Sequence, residues 1–182
     1  MTIRADHRHP TPPADPAGAI VVRPLRPADH ERAAQVREGA YAHELGDRLR
    51  EGYRAELRDV ARHAELAQVL VAVDASDALL GTVTFLPTHD NPLSEHDEPR
   101  AASLRFLAVD PSAQGQGIAQ RLVRACEDLA REHAAARLVL HVLSDNHRAA
   151  RLYAHLGFVR DRDLDWEPFP GLVLQGWALP LR

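Results

Sequence analysis

The chain has 182 residues, of which 45% are hydrophobic and 26% charged, with a formal net charge of -4, eleven histidines, no lysine and a single cysteine. That length fits one domain able to bury a core without disulfide or metal staples. The acidic balance argues against general nucleic-acid binding, and no apolar run nears the roughly 20 residues of a membrane-spanning helix.

The first 18 residues carry Pro10, Pro12, Pro13 and Pro16 among charges, with few apolar side chains to offset ordering entropy; they read as a disordered arm ahead of a domain over 19–182. They also lack the apolar centre of a secretory signal, so the expected location is cytoplasmic. A strand is expected from Ala19 to Leu25, then a helix from His30 to about Tyr41 behind the start signal Pro27-Ala28-Asp29. A second helix is expected from Asp47 to His63, its apolar face formed by Leu49, Tyr53, Leu57 and Val60. Strands follow at Gln68–Val73 and Leu79–Leu86, joined by the hairpin linker Asp74-Ala75-Ser76-Asp77. A polar loop, 87–100, holds three prolines and Glu95-His96-Asp97-Glu98; loops this long in compact domains are often functional.

Next come a strand at Ser103–Val109, an amphipathic helix from Ile118 to about His133, an apolar strand at Leu138–Leu143, a short helix from Asn146 to Leu156, and a last strand at Leu172–Leu179. Cys126 falls among Leu122, Val123 and Leu129 of the long helix, which suits a buried structural thiol better than a nucleophile. This order is an α+β pattern: a mixed, mostly antiparallel sheet flanked by helices, with a central βαβ unit.

Chemistry concentrates in two stretches. In the first, the strand Leu104–Val109 ends at Asp110-Pro111, a turn holds Gln114, Gly115, Gln116 and Gly117, and a helix starts at Ile118-Ala119. Glycines allow close backbone approach, and the unpaired amides of a helix start favour an anion such as a pyrophosphate. A Walker loop would need GxxxxGK[ST], and a Rossmann GxGxxG would need a third glycine near the start of a doubly wound sheet; neither fits. In the second, Asn146 to Phe158 reads N-x-x-A-x-x-L-Y-x-x-L-G-F, with Asn146 suited to an N-cap and Gly157 to a helix stop. Helical spacing sets Asn146, Ala150 and Tyr153 on one side, and Ala149, Leu152 and Leu156 on another.

In both motifs and their order the sequence resembles the GNAT superfamily of acetyl-CoA-dependent N-acetyltransferases. Gln114-x-x-Gly117-x-Ala119 is similar to that family's pyrophosphate loop, and Tyr153-x-x-Leu156-Gly157-Phe158 to its second hallmark. The resemblance implies that Leu107, Ala108 and Val109 offer backbone groups to the pantetheine arm. It implies that Gln114, Gly115, Gln116, Gly117, Ile118 and Ala119 hold the pyrophosphate, that Asn146 touches pantetheine, and that Tyr153 sits beside the thioester sulfur as acid. The acceptor is then a primary amine, on a small molecule or a peptide, attacking the thioester directly.

Many relatives carry a base glutamate on the motif strand, where this chain offers Ser103 and Arg105; Glu98, Glu95, His96 and His89 of the loop are the alternatives, against a merely solvated loop. Arg148 and Arg151 can reach the ligand's 3′-phosphate, or stay solvated. Trp166 and Phe169 are candidate walls of the acceptor pocket, or else core-edge or dimer contacts. No HExxH or comparable histidine pair points to a metal. Two rivals to the enzyme remain: a non-catalytic acyl-CoA sensor, and an interaction module that homodimerises through its last strands.

Overall fold

The computed structural model describes residues 20–181; the expected arm, 1–18, lies outside them. Strand β1 (Val21–Pro24) leads into helix α1 (His30–Leu45), then α2 (Glu51–Arg58), α3 (Val60–Leu66), β2 (Gln68–Val73), β3 (Leu79–Leu86) and β4 (Ala101–Val109). Helix α4 (Ile118–Glu132), β5 (Arg137–Leu143), α5 (His147–His155), β6 (Val159–Arg160), β7 (Trp166–Phe169) and β8 (Leu172–Pro180) complete the order.

All eight strands join one sheet in the order β1-β2-β3-β4-β5-β8-β6, with β7 added on β8. Among the described residues only β4 and β5 run parallel, linked through α4 as the expected βαβ unit. Alternate residues of β2 face opposite layers: Leu70 and Ala72 join the cluster holding Ile118, Leu122 and Cys126 of α4, Tyr153 of α5 and Leu156 just after it. Val71 and Val73 join Ala33 and Val36 of α1 and Val60 of α3. Both faces are covered, and the strand is accordingly a continuous apolar run.

The helix expected over Asp47–His63 is instead two. Asp59 leaves helical geometry at φ -79°, ψ 52°, and its carboxylate accepts from the Arg62 amide, so the residue that ends α2 also caps α3. The apolar face expected there holds at Leu49, Leu57 and Val60, while Tyr53 is 36% exposed. Strands β6 and β7 were not expected: β6 is two residues long and β7 contains Pro168, signals too short or too broken for a strand pattern. In the hairpin, Asp74 accepts from the amides of Ser76 and Ala78 at 2.8 and 3.0 Å, as an aspartate-led turn should.

Two irregularities in the middle of the sheet create the site. Strands β4 and β5 pair only from Ala101↔Arg137 to Ser103↔Val139. Beyond that β4 follows β3 and β5 follows β8, so the sheet splits. On the other edge of β4, Thr84↔Arg105 and Thr82↔Ala108 leave three steps opposite two, a β-bulge at which Phe106 adopts φ 53°.

Candidate active site at the split sheet

From Leu104 to Val109 the edge of β4 that faces β5 has no strand partner, so its amides and carbonyls are available to an extended ligand lying in the split. The bulge sits midway along this edge and reorients the backbone of Phe106 and Leu107.

At the C-terminal end of β4, Asp110 turns the chain: its carboxylate accepts from the Ser112 amide at 2.9 Å and pairs with Arg32 at 2.5 Å. Gly115 and Gly117 then take φ of 81° and 73°, left-handed values that disfavour other residues. Gly117 is the N-cap of α4 and provides no side-chain cap, which leaves the first amides of this fifteen-residue helix free for an anion. Gly81 on β3 lets α4 come this close: a Cβ there would lie 2.8 Å from Cγ2 of Ile118 and 3.1 Å from the Ala108 carbonyl oxygen. Arg148 of α5 donates to Oε1 of Gln114 at 2.7 Å, bringing a cation to the same loop.

The other wall of the split is β5, and α5, which follows it, packs into the same core layer as α4. Asn146 caps α5, Oδ1 accepting from the Ala149 amide at 2.9 Å, while its Nδ2 donates to Oε1 of Glu44 at 2.5 Å. Tyr153 is buried, packs edge-on against Phe158 at 5.6 Å and shares a cluster with Leu107. Its hydroxyl makes no hydrogen bond to any described residue and is free to donate. Burial, reinforced by Glu44, holds this phenol well above its ordinary pKa, so it stays protonated at neutral pH.

Sequence reasoning missed what α1 and α2 contribute. Tyr41 and Glu44 lie three residues apart on the last turns of α1; Glu44 raises the pKa of Tyr153, and Tyr153 in turn adds to the rise that burial imposes on Tyr41. Although Glu44 exposes much of its surface, its carboxyl is crowded by protein, which raises its pKa; the hydrogen bond from Asn146 offsets this only in part. Tyr53 of α2 meets Tyr41 edge-on at 5.8 Å, and burial of its hydroxyl pushes its pKa to about 12. The spacing of Tyr41 and Glu44 was readable, but nothing local indicated that this face meets α5.

The 87–100 loop is stitched down rather than solvated. Glu95 pairs with Arg105 on β4 at 2.6 Å and lies 3.5 Å from Nδ1 of His141 on β5, so one carboxylate spans the strands where their hydrogen bonds stop. Glu98 pairs with Arg137 at 2.6 Å, at the closed end of the split; at about 3.3 Å per residue that is about 20 Å along β4 from Leu107. His96 accepts from the Glu98 amide through Nδ1, and burial lowers its pKa to about 4. His89 is partly buried farther back in the loop. Trp166 lies 6.5 Å from His141, edge to face, at the rim, whereas Phe169 is 59% exposed.

The pattern of the acetyltransferase (GNAT) family matches residues 30–158, and the chain belongs to that family. Mycothiol acetyltransferase of Renibacterium salmoninarum is 28% identical over 165 residues, covering 88% of this chain and 46% of its own length. The chain spans about half the length of the curated relatives it matches. An acetyltransferase of the GNAT family from Staphylococcus aureus Mu50 superposes with TM-score 0.71 at 15% identity, covering 90% of this chain and 100% of its own. The PaiA N-acetyltransferase of Thermoplasma acidophilum, solved in complex with coenzyme A, gives 0.66 at 17%, covering 89% and 99%. Among the described residues no helix is long and apolar enough to cross a membrane.

Proposed function

We propose that the protein transfers the acetyl group of acetyl-CoA to the nitrogen of a primary amine, carried by a small molecule or a peptide. The observation that carries this is the split between β4 and β5, which leaves a bulged, unpaired strand edge whose Leu107 shares a cluster with the buried Tyr153. The residues present suit the co-substrate. Uncapped amides of α4 beside two open glycines fit a pyrophosphate, and the bare edge of β4 fits the amide-rich pantetheine arm. When bound, acetyl-CoA supplies the thioester that the amine attacks.

The chain's own groups then divide the work. Amides of residues 114–119 hold the pyrophosphate, with Arg148 alongside; backbone groups of Leu107, Ala108 and Val109 and the Asn146 side chain align the arm. The Leu107 amide, one residue past Phe106 in the bulge on the strand that borders the split, donates to the carbonyl oxygen as negative charge develops there. Tyr153 donates a proton to the departing sulfur. Glu44 takes the proton from the amine: its raised pKa makes it a better acceptor than an ordinary carboxylate. Glu98, held by Arg137 at the far end, is better suited to fixing the start of β4 than to this step.

The test is thiol release from acetyl-CoA against a panel of primary amines that includes the acceptor of mycothiol acetyltransferase, with mass spectrometry of the product. Acetyl on an amine nitrogen is the expected result. Tight coenzyme A binding without turnover on any amine would favour an acyl-CoA sensor instead.

A further inference from the structure

Behind the bulge lies a buried polar network that the steps above do not use. Arg37 of α1 is fully buried. Its Nη1 donates to Nδ1 of His63 on α3 at 2.7 Å, and its Nη2 to Oγ1 of Thr84 on β3 at 2.8 Å. Its Nε has no partner among the described residues. His63 is fully buried too, with Nε2 3.2 Å from Oε1 of Glu56 on α2. Arginine only donates, so Nδ1 is the accepting nitrogen, and the imidazole proton sits on Nε2, directed at Glu56. The ring is thereby fixed as one neutral tautomer in one orientation. Burying a guanidinium without a direct carboxylate does little for stability, which leaves the ring's position as the feature to explain.

That ring faces Phe106. The two stack with centroids 4.5 Å apart and planes within 9°, while the guanidinium carbons of Arg105 and Arg37 lie 4.5 and 5.2 Å from the Phe106 ring centre. Phe106 is the residue whose φ of 53° makes the bulge. A bulky side chain persists in that conformation only where its surroundings over-determine it.

We propose that Arg37, His63 and Glu56 are positioning residues: they fix the imidazole as a flat wall that pins Phe106, and so hold the Leu107 amide in the geometry that meets the thioester carbonyl. None of the three touches the reacting atoms. The inference rests on the acetyl-transfer reading, in which that amide contacts the acyl group. His63 must remain neutral for the network to hold. Arg37 from α1, Glu56 from α2 and Asp59 at the head of α3 act on it directly, while Arg62 pairs with Glu56 and Arg105 from β4 lies over Phe106; a second positive charge beside Arg37 would break the accepting contact.

The experiment measures affinities of the full chain for coenzyme A and acetyl-CoA by calorimetry. A carbonyl accepting one amide hydrogen bond should give the wild type about a three- to tenfold preference for acetyl-CoA. In Arg37→Met/His63→Ala, which removes the wall and its buried charge together, that preference should fall to about one while coenzyme A affinity stays within about twofold. Arg37→Met/His63→Phe, which restores a flat ring, should recover most of it. A measurement on the wild type guards against variants that fail to fold: on acidification from about pH 7 to about pH 4, the Leu107 amide resonance should shift in step with the His63 ring nitrogens. An unchanged preference in the alanine variant, or a Leu107 amide indifferent to His63 protonation, overturns the network. Equal affinities in the wild type would overturn it differently, by removing the contact between amide and thioester on which it depends.

Discussion

Tyr153 and Asn146 sit in a contiguous motif, and what was legible there is local: Asn146 caps α5 through the Ala149 amide, and Tyr153 is buried. Glu44 was not legible, because its partner Asn146 is 102 residues away and no local pattern announces the contact. The partners of the loop carboxylates were illegible for the same reason. Only the fold reveals that Arg137 holds Glu98 and that Arg105 holds Glu95. Two predictions belong at this scale. Tyr153→Phe removes only the proton donor, so kcat should fall about a hundredfold or more while calorimetric affinity for coenzyme A is unchanged. In the proposed mechanism Glu44 accepts a proton only when ionised, and crowding lifts its pKa above the ordinary 4.5. The rate should therefore fall as pH drops through that raised value, and the pH–rate profile of Glu44→Gln should lose this acid limb.

Among the elements, β2 and β3 match their expected bounds residue for residue, since apolar runs between turn signals are the strongest local evidence for strands. The bulge in β4 left no trace in the sequence. It goes with a pairing register with β3, and Phe106 within it has buried neighbours from α1, α2 and α3 (Arg37, Leu57 and His63), none of which a strand pattern encodes. The glycine loop was readable because glycine and a helix start carry local physical meaning; its dependence on Gly81 of a different strand was not. Gly81→Ala forces the new methyl against Ile118 and the Ala108 carbonyl. Displacing α4 from the sheet should destabilise the fold by about 1–3 kcal/mol and weaken coenzyme A binding. Thermal melting beside calorimetry checks both effects, and wild-type values for both would contradict the packing described.

At the scale of the whole molecule, arginine supplies all the basic side-chain charge other than histidine, and the carboxylates it holds set the response to acid. Hydrogen bonds from Arg23 to Asp29 and from Ser112 to Asp110 are the leading causes that keep those carboxyls below their ordinary values. Stability from such groups is present above their unfolded pKa, near 4, and is lost as pH falls through the lower folded values. Denaturant melts should therefore show a falling midpoint below about pH 4. His63, whose folded pKa is lowered, starts a separate loss earlier, as pH falls through its unfolded value of 6.5, because the unfolded chain takes up its proton first. The layered α+β architecture was legible from element order, whereas the split that turns it into a binding cleft is a property of the assembled sheet. The most direct test of the account is thiol release from acetyl-CoA by wild type and Tyr153→Phe, measured together across the amine panel. The account predicts turnover on at least one amine, nearly abolished in the variant although coenzyme A still binds. Equal rates for the two proteins would contradict it.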